Sequence, residues 1–210
     1  MSNLSEGTEI DRINLEIRTC QKCDLCKTRK NAVPGEGSIS PEVLFIGEGP
    51  GRNEDLEGRP FVGRAGSILD ELLHSIGLKR QSVYITNIVK CRPTVTSIRD
   101  SDSRTLSVKD RKPVEGEVLA CAPYLTRQIQ LLNPRVICAL GDTASSTVLK
   151  KYGLTAGMIS KTHGRVFSTD SLKIVSMYHP AAALYTAALR DIMVSDFEVL
   201  SDLLRPKTLI

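Results

Sequence analysis

VLFIGEGPGRNEDLEGRPFVGRAG, residues 43–66, runs an apolar tetrapeptide straight into a loop rich in glycine, proline and acids. Val43, Leu44, Phe45 and Ile46 read as a buried strand, because the run is short, apolar and bounded by turn residues. The glycines after it let backbone N–H groups come close to a ligand. In open α/β sheets, ligands collect at the carboxyl ends of strands. The stretch is therefore expected to be a strand-to-helix active-site loop. Phe61 stands between two turn-forming segments, which suits a pocket for something flat and polar.

Working outward, Ile10, Ile13, Leu15 and Ile17 predict a short amphipathic helix ending near Thr19. Ala65–Ile76 is a helix with Ile68, Leu69, Leu72, Leu73 and Ile76 on one face and Gly77 as its stop. Val83–Val89 is β-branched and alternating, hence a strand. Residues 94–117 are polar and charged, and are expected to be a mobile insertion or a loop that orders on binding. Helix returns at Val118–Leu132 and stops at Asn133-Pro134; Arg135–Leu140 is a strand, and a helix follows to about Lys151. Gly164–Ser168 and Leu172–Met177 read as a closing pair of strands. His179-Pro180 opens an Ala-rich helix, and Asp191–Leu204 is a final amphipathic one. Strands alternating with helices give an α/β fold with a central, mostly parallel sheet. One domain over 1–210 is expected, with no repeat and no linker.

A chain of 210 residues can bury most of its apolar surface without staples. It has no run of eighteen apolar residues, so no membrane span is expected. The polar, acidic start MSNLSEGTEIDR does not read as a secretory signal, which makes the cytoplasm the expected location. A net charge of +4 is too small to demonstrate a nucleic-acid partner. With no tryptophan and few aromatics, the core must be Ile, Leu, Val and Ala.

Six cysteines in a chain without a signal read as ligands or core residues, because the cytosol keeps thiols reduced. Cys20, Cys23 and Cys26 fall within one turn, while Cys91 and Cys121 lie far along the chain at element ends. Two close thiolates with two distant ones suit a tetrahedral metal or an iron–sulfur cluster. Cys26 is either a spare thiol or a ligand in place of Cys20 or Cys23. Cys138, mid-strand, belongs to the core.

Three motifs occur in order: GEGPGRNEDLEGRPFVGRAG, ITNIVKCRP at Ile85–Pro93 and HPAAAL at His179–Leu184. Together they resemble the family 4 uracil-DNA glycosylases, iron–sulfur members of the uracil-DNA glycosylase superfamily from thermophilic bacteria and archaea. The likeness runs from Cys20 to the last helix. It implies a three-layer α/β/α sandwich around a mostly parallel four-stranded sheet. It also implies a 4Fe–4S cluster on Cys20, Cys23, Cys91 and Cys121, and a monomer whose partner is uracil-containing DNA, single- or double-stranded, with replication or repair proteins as further candidate partners. The activity implied is hydrolysis of deoxyuridine's N-glycosidic bond, leaving an abasic site. The competing expectation is a non-catalytic or weakly catalytic iron–sulfur module that binds DNA or uracil on the same fold.

Such an enzyme flips its nucleotide into a pocket. The resemblance makes Phe61 the stacking face and Asn87 the reader of uracil's edge. An amide supplies the acceptor and donor that uracil N3–H and O4 require. His179 matches a donor to the departing O2, assisted by the backbone of Gly47, Glu48 and Gly49. The archetypal superfamily aspartate falls at Gly49, so Glu48 and Glu54 are the acids placed to orient water, with Glu48 favoured. Ala183 and Leu184 match a wedge into the base stack. Arg52, Arg64, Lys90 and Arg92 are candidate phosphate contacts. His74 and His163 are expected to be structural or solvent-facing, and Asp55 and Glu57 to be solvated loop acids or turn formers. The stretch after Cys91 is longer than the family's commonest pattern, and it lacks the histidine a related branch uses for covalent capture.

Overall fold

The computed structural model describes residues 2–100 and 103–205. In chain order these form α1 (Ser2–Arg18), β1 (Glu36–Gly37), β2 (Val43–Gly47), α2 (Arg52–Glu57), α3 (Arg64–Ser75) and β3 (Tyr84–Asn87). There follow β4 (Thr94–Asp100), β5 (Ser103–Asp110), α4 (Glu115–Leu132), β6 (Val136–Leu140) and α5 (Asp142–Lys151). The chain continues with α6 (Ile159–Thr162), β7 (Val166–Ser168), β8 (Lys173–Met177) and α7 (Leu189–Leu204).

Six strands make the main sheet, in the order β1-β3-β2-β6-β8-β7. The four central ones, β3, β2, β6 and β8, run parallel. Short antiparallel strands β1 and β7 cover the two edges, which extends the expected four-stranded sheet to six. Parallel strands are buried on both faces, so their apolar runs lack alternation. Leu44, Ile46, Ile137, Ala139 and Ile174 point to one side, against α4 and α5. Val43, Phe45, Val136, Cys138 and Val175 point to the other, against α3 and α7. The result is an α/β/α sandwich. Its β2–β3 register pairs Gly47 with Asn87, bringing the first two motifs to one level at the carboxyl edge.

Two expectations need correction here. Residues 94–117 are not an unstructured insertion: β4 and β5 pair antiparallel, apart from the main sheet. The alternating β-branched residues Thr94, Thr96 and Val108 carry that strand signal beneath the charges. A two-stranded ribbon is marginal alone, and this one is tied at its base. The Arg111 guanidinium donates to both Glu117 oxygens, at 2.8 and 2.6 Å, and to the Thr94 carbonyl at 3.0 Å. The second correction concerns HPAAAL, where Pro180–Leu184 forms a 3-10 turn rather than an α-helix. In α1, Ile10, Ile13 and Ile17 face the core at helical spacing, while Leu15 is exposed.

Candidate active site

A cavity of ≈550 Å³ opens where β2, β3, β6 and β8 end, lined among others by Glu48, Glu54, Phe61, Asn87 and His179. Its floor is built by close approach. A Cβ at Gly47 would run into Asn87 Oδ1 and the Phe61 ring, and one at Gly66 into the Phe61 carbonyl. Phe61 itself holds φ of +50°, a left-handed conformation that costs a bulky residue about 1–3 kcal/mol. Glu54 accounts for how that conformation persists. One carboxylate oxygen accepts the N–H groups of Val62 (3.0 Å) and Gly63 (3.2 Å), and the other accepts Gly51 N–H at 3.1 Å. A carboxylate spanning three backbone donors fixes both ends of the loop.

Phe61 stacks on His179, ring centroids 5.4 Å apart at 27°. The His179 Nδ1 accepts the Ala181 N–H at 3.2 Å, which leaves the ring proton on Nε2. Burial holds this imidazole down, to a pKa of about 4, with the Glu54 carboxylate opposing the shift. At neutral pH it is an uncharged N–H donor. The Asn87 amide is buried, and its Oδ1 has no hydrogen-bond partner. Such an orphan acceptor is costly unless a ligand uses it.

Four carboxylates line the cavity. Glu54 serves the loop, Asp110 pairs with Arg92 at 2.6 Å, and Asp142 accepts Ile159 N–H at 2.8 Å. Among the described residues, Glu48 alone of the four has a carboxylate with no hydrogen-bond or ion-pair partner. A Cβ at Gly49 would lie 2.8 Å from Val89 Cγ2 and 3.4 Å from Pro93 Cδ. Val89 is fully buried and stiff, so a side chain at Gly49 has no room.

Behind the pocket, Cys20, Cys23, Cys26, Cys91 and Cys121 line one small cavity. It sits beside an apolar cluster of Ile13, Ile17, Leu25 and Tyr124. Arg29 reaches in from the side and donates to Cys91 Sγ at 3.1 Å. Burial pushes the Cys91 thiol up to about 11, and raises Cys23 and Cys121 as well. Among the described residues, no three potential ligands close around a single point as one metal ion would require.

Residues 34–198 match the model of the uracil DNA glycosylase superfamily. A type-4 uracil-DNA glycosylase of Saccharolobus solfataricus is 44% identical over 203 residues, spanning 94% of this chain and 88% of that protein. The type-4 enzyme of Archaeoglobus fulgidus is 42% identical over 198 residues, 92% of each chain. That of Thermotoga maritima is 38% identical over 191 residues, 89% of this chain and 90% of its own. The chain belongs to the type-4 uracil-DNA glycosylase family.

The rest of the family's expected DNA face is mixed. Arg52 and Arg64 are exposed beside the loop. Lys90 is not a phosphate contact: it is fully buried, with its ammonium bonded inside the protein. Arg92 is committed to Asp110 at the hairpin base. Ala183 and Leu184 are half-buried, packed on the α3–α7 side of the core, and the residue thrust outward is Tyr185, 88% exposed. Asp55 is also corrected, since it is buried and accepts the Lys30 and Asn31 N–H groups. His74 is exposed, and His163 pairs with Asp196 at 2.9 Å.

Sequence reading missed Tyr178, Asp142 and the Asp110–Lys112 segment as cavity walls. Tyr178 adjoins the HP motif, and Asp142 opens α5 just beyond the end of β6. Position at a strand's carboxyl end was the available signal for both.

Proposed function

We propose that this protein is a DNA repair glycosylase that hydrolyses the N-glycosidic bond of deoxyuridine in DNA. It releases uracil and leaves an abasic site. The observation that carries the reading is the buried, unpartnered Asn87 Oδ1 beside the Phe61 and His179 rings. Uracil brings N3–H to that acceptor and O4 to the same amide's N–H, with its ring against Phe61. Cytosine would bring an unprotonated N3 and an amino group, like against like, which a rigid polar site rejects strongly.

His179 Nε2–H donates to uracil O2, where charge gathers as the N1–C1′ bond lengthens. A donor aimed at developing charge lowers the barrier. The bonding pair leaves with uracil, and the sugar acquires positive charge. Glu48 stabilises that cation and orients the water that adds to C1′, taking its proton. Glu54 holds Phe61 and the loop in place. Gly49 explains the missing aspartate: the position is packed against Val89 and Pro93.

The thiol cavity supports a resident 4Fe–4S cluster on Cys20, Cys23, Cys91 and Cys121. Soft thiolates spread around a cavity suit a polynuclear cluster, and buried thiols that resist ionisation alone give up their protons to bound metal. Cys26 lines the same cavity as a fifth thiol. The role of the cluster in this reading is structural, joining the Cys20–Cys26 turn to Cys91 and to α4.

The deciding experiment treats a uracil-containing labelled oligonucleotide with iron-loaded protein and then with alkali. Strand cleavage at the uracil position is expected. Its absence with folded, loaded protein sinks the reading.

A further inference from the structure

We propose that Lys90 is a positioning residue for the base pocket, setting the angle at which Asn87 presents its amide. Lys90 is 1% exposed and has no carboxylate partner among the described residues. Lysines are almost never buried unless paired. Its ammonium has three N–H bonds and uses all three, on Thr86 Oγ1 (2.6 Å), the Asn87 carbonyl (2.8 Å) and Gln128 Oε1 (2.7 Å).

Both neighbours are themselves anchored. The Thr86 hydroxyl donates to the Pro34 carbonyl at 2.7 Å, and Gln128 Nε2 donates to the same oxygen at 3.0 Å. Two of these bonds tie the end of β3 outward, Thr86 to the loop before β1 and Lys90 to α4; Gln128 Nε2 joins α4 to that same loop, and the bonds from Lys90 to Thr86 and Asn87 close the end of β3 on itself. Two backbone bonds complete the clamp on the pocket side: Ile88 N–H to Gly47 O at 2.9 Å and Val89 N–H to Glu48 O at 3.2 Å.

The Asn87 side chain explains why such a clamp is needed. With Oδ1 unpartnered, that oxygen has no hydrogen bond to fix where it points, so its aim follows the backbone carrying it. The Asn87 carbonyl is the backbone group that Lys90 holds. Gln128 lies seven residues, two turns, beyond Cys121 on α4, so the same bond connects the pocket to a thiol-bearing helix.

The inference rests on the reading of the cavity as a uracil pocket. Its test compares two affinities in iron-loaded protein: for free uracil by calorimetry, and for DNA carrying an abasic site. Lys90→Met keeps the length and removes all three bonds. It is expected to weaken uracil binding about tenfold or more while changing abasic-DNA affinity by less than about twofold. A role confined to folding would move neither ratio in loaded protein.

Unchanged uracil affinity in loaded Lys90→Met overturns the assignment. If that variant fails to retain iron, Gln128→Leu, which removes one acceptor from α4, decides the matter instead. A rise of about threefold in uracil dissociation constant is expected there, and no change overturns the assignment. Wild-type protein that does not bind uracil sinks the pocket reading itself. Wild type that binds uracil, with unaltered variants, sinks only the role of Lys90.

Discussion

The base pocket and the thiol cavity are ordered by different means, although only three residues lie between Asn87 and Cys91. The pocket is finished before any ligand arrives. Gly47, Gly49 and Gly66 leave no room for a side chain, Glu54 ties three backbone N–H groups, and Phe61 is held at positive φ. The thiol cavity also joins the Cys20–Cys26 turn, which the pocket's hydrogen bonds do not reach, to Cys91 and α4. The Cys20–Cys26 turn has a short 3-10 helix, Asp24–Lys27, and meets Cys91 and α4 through a small apolar cluster and Arg29. A site for a passing base must be preorganised, since any reorganisation recurs in every turnover. A site for a resident group can leave part of its order to the guest.

That contrast fails most visibly if Cys91→Ser leaves the protein intact. The expected result is loss of the brown colour and iron, with unfolding temperature lowered by roughly 10 °C or more, since each kcal/mol shifts a chain of this size by about 2–4 °C. A colourless zinc protein, or unaltered stability in iron-free protein, would break the comparison at the cysteine end.

Asn87→Ala and His179→Ala probe the opposite end. Each should lower single-turnover excision by about 10²–10³-fold, the scale of removing one transition-state donor. Iron content should stay near wild type in both. The unfolding temperature should hold in Asn87→Ala, whose Oδ1 has no partner, and fall by about 2–4 °C in His179→Ala, which also loses the stack on Phe61 and the bond from Ala181 N–H. Full activity in either variant would overturn the pocket assignment.

The smallest effect lies in pH. With the folded imidazole of His179 depressed to about 4, it stays neutral while an unfolded histidine already binds a proton near 6.5. The folded state therefore takes up fewer protons between these values. The stability that this group contributes is full above about 6.5 and is lost as pH falls through about 4. Excision should track the same group, holding steady from neutral pH to about 5 and declining near 4. A midpoint near 6.5 in the pH–rate profile would show an imidazole in open water rather than one locked against Phe61.

Much of this organisation is legible in the sequence because the physics is local. Unalternating runs such as Val43–Ile46 and Val136–Leu140 mark strands covered on both sides, and glycines after a strand mark close approach. The hairpin Thr94–Asp110 was hidden because its alternation is carried by threonines among charges, and because its stability comes from Arg111 and Glu117 beyond its end. Lys90 reads as a surface cation until Gln128, thirty-eight residues on, is known to face it. Asp55 reads as solvated until the Lys30–Asn31 backbone is seen to cover it. HPAAAL reads as helix from its alanines, whereas Pro180 follows an extended His179 and the turn tightens to 3-10. In each case the deciding contact is distant in sequence or is made by backbone.

The crowding at Gly49 constrains how this lineage can change. Two of the four glycine codons lie one nucleotide from an aspartate codon, so an aspartate there is within short mutational reach. Val89 meets its first side-chain carbon at 2.8 Å, so such a mutant is penalised before its carboxylate can help. Shrinking Val89 first would open the space but loosen the turn between Asn87 and Cys91. A route to the archetypal acid therefore runs through a worse intermediate in either order, and steric history alone can keep a chain on its own solution to activating water.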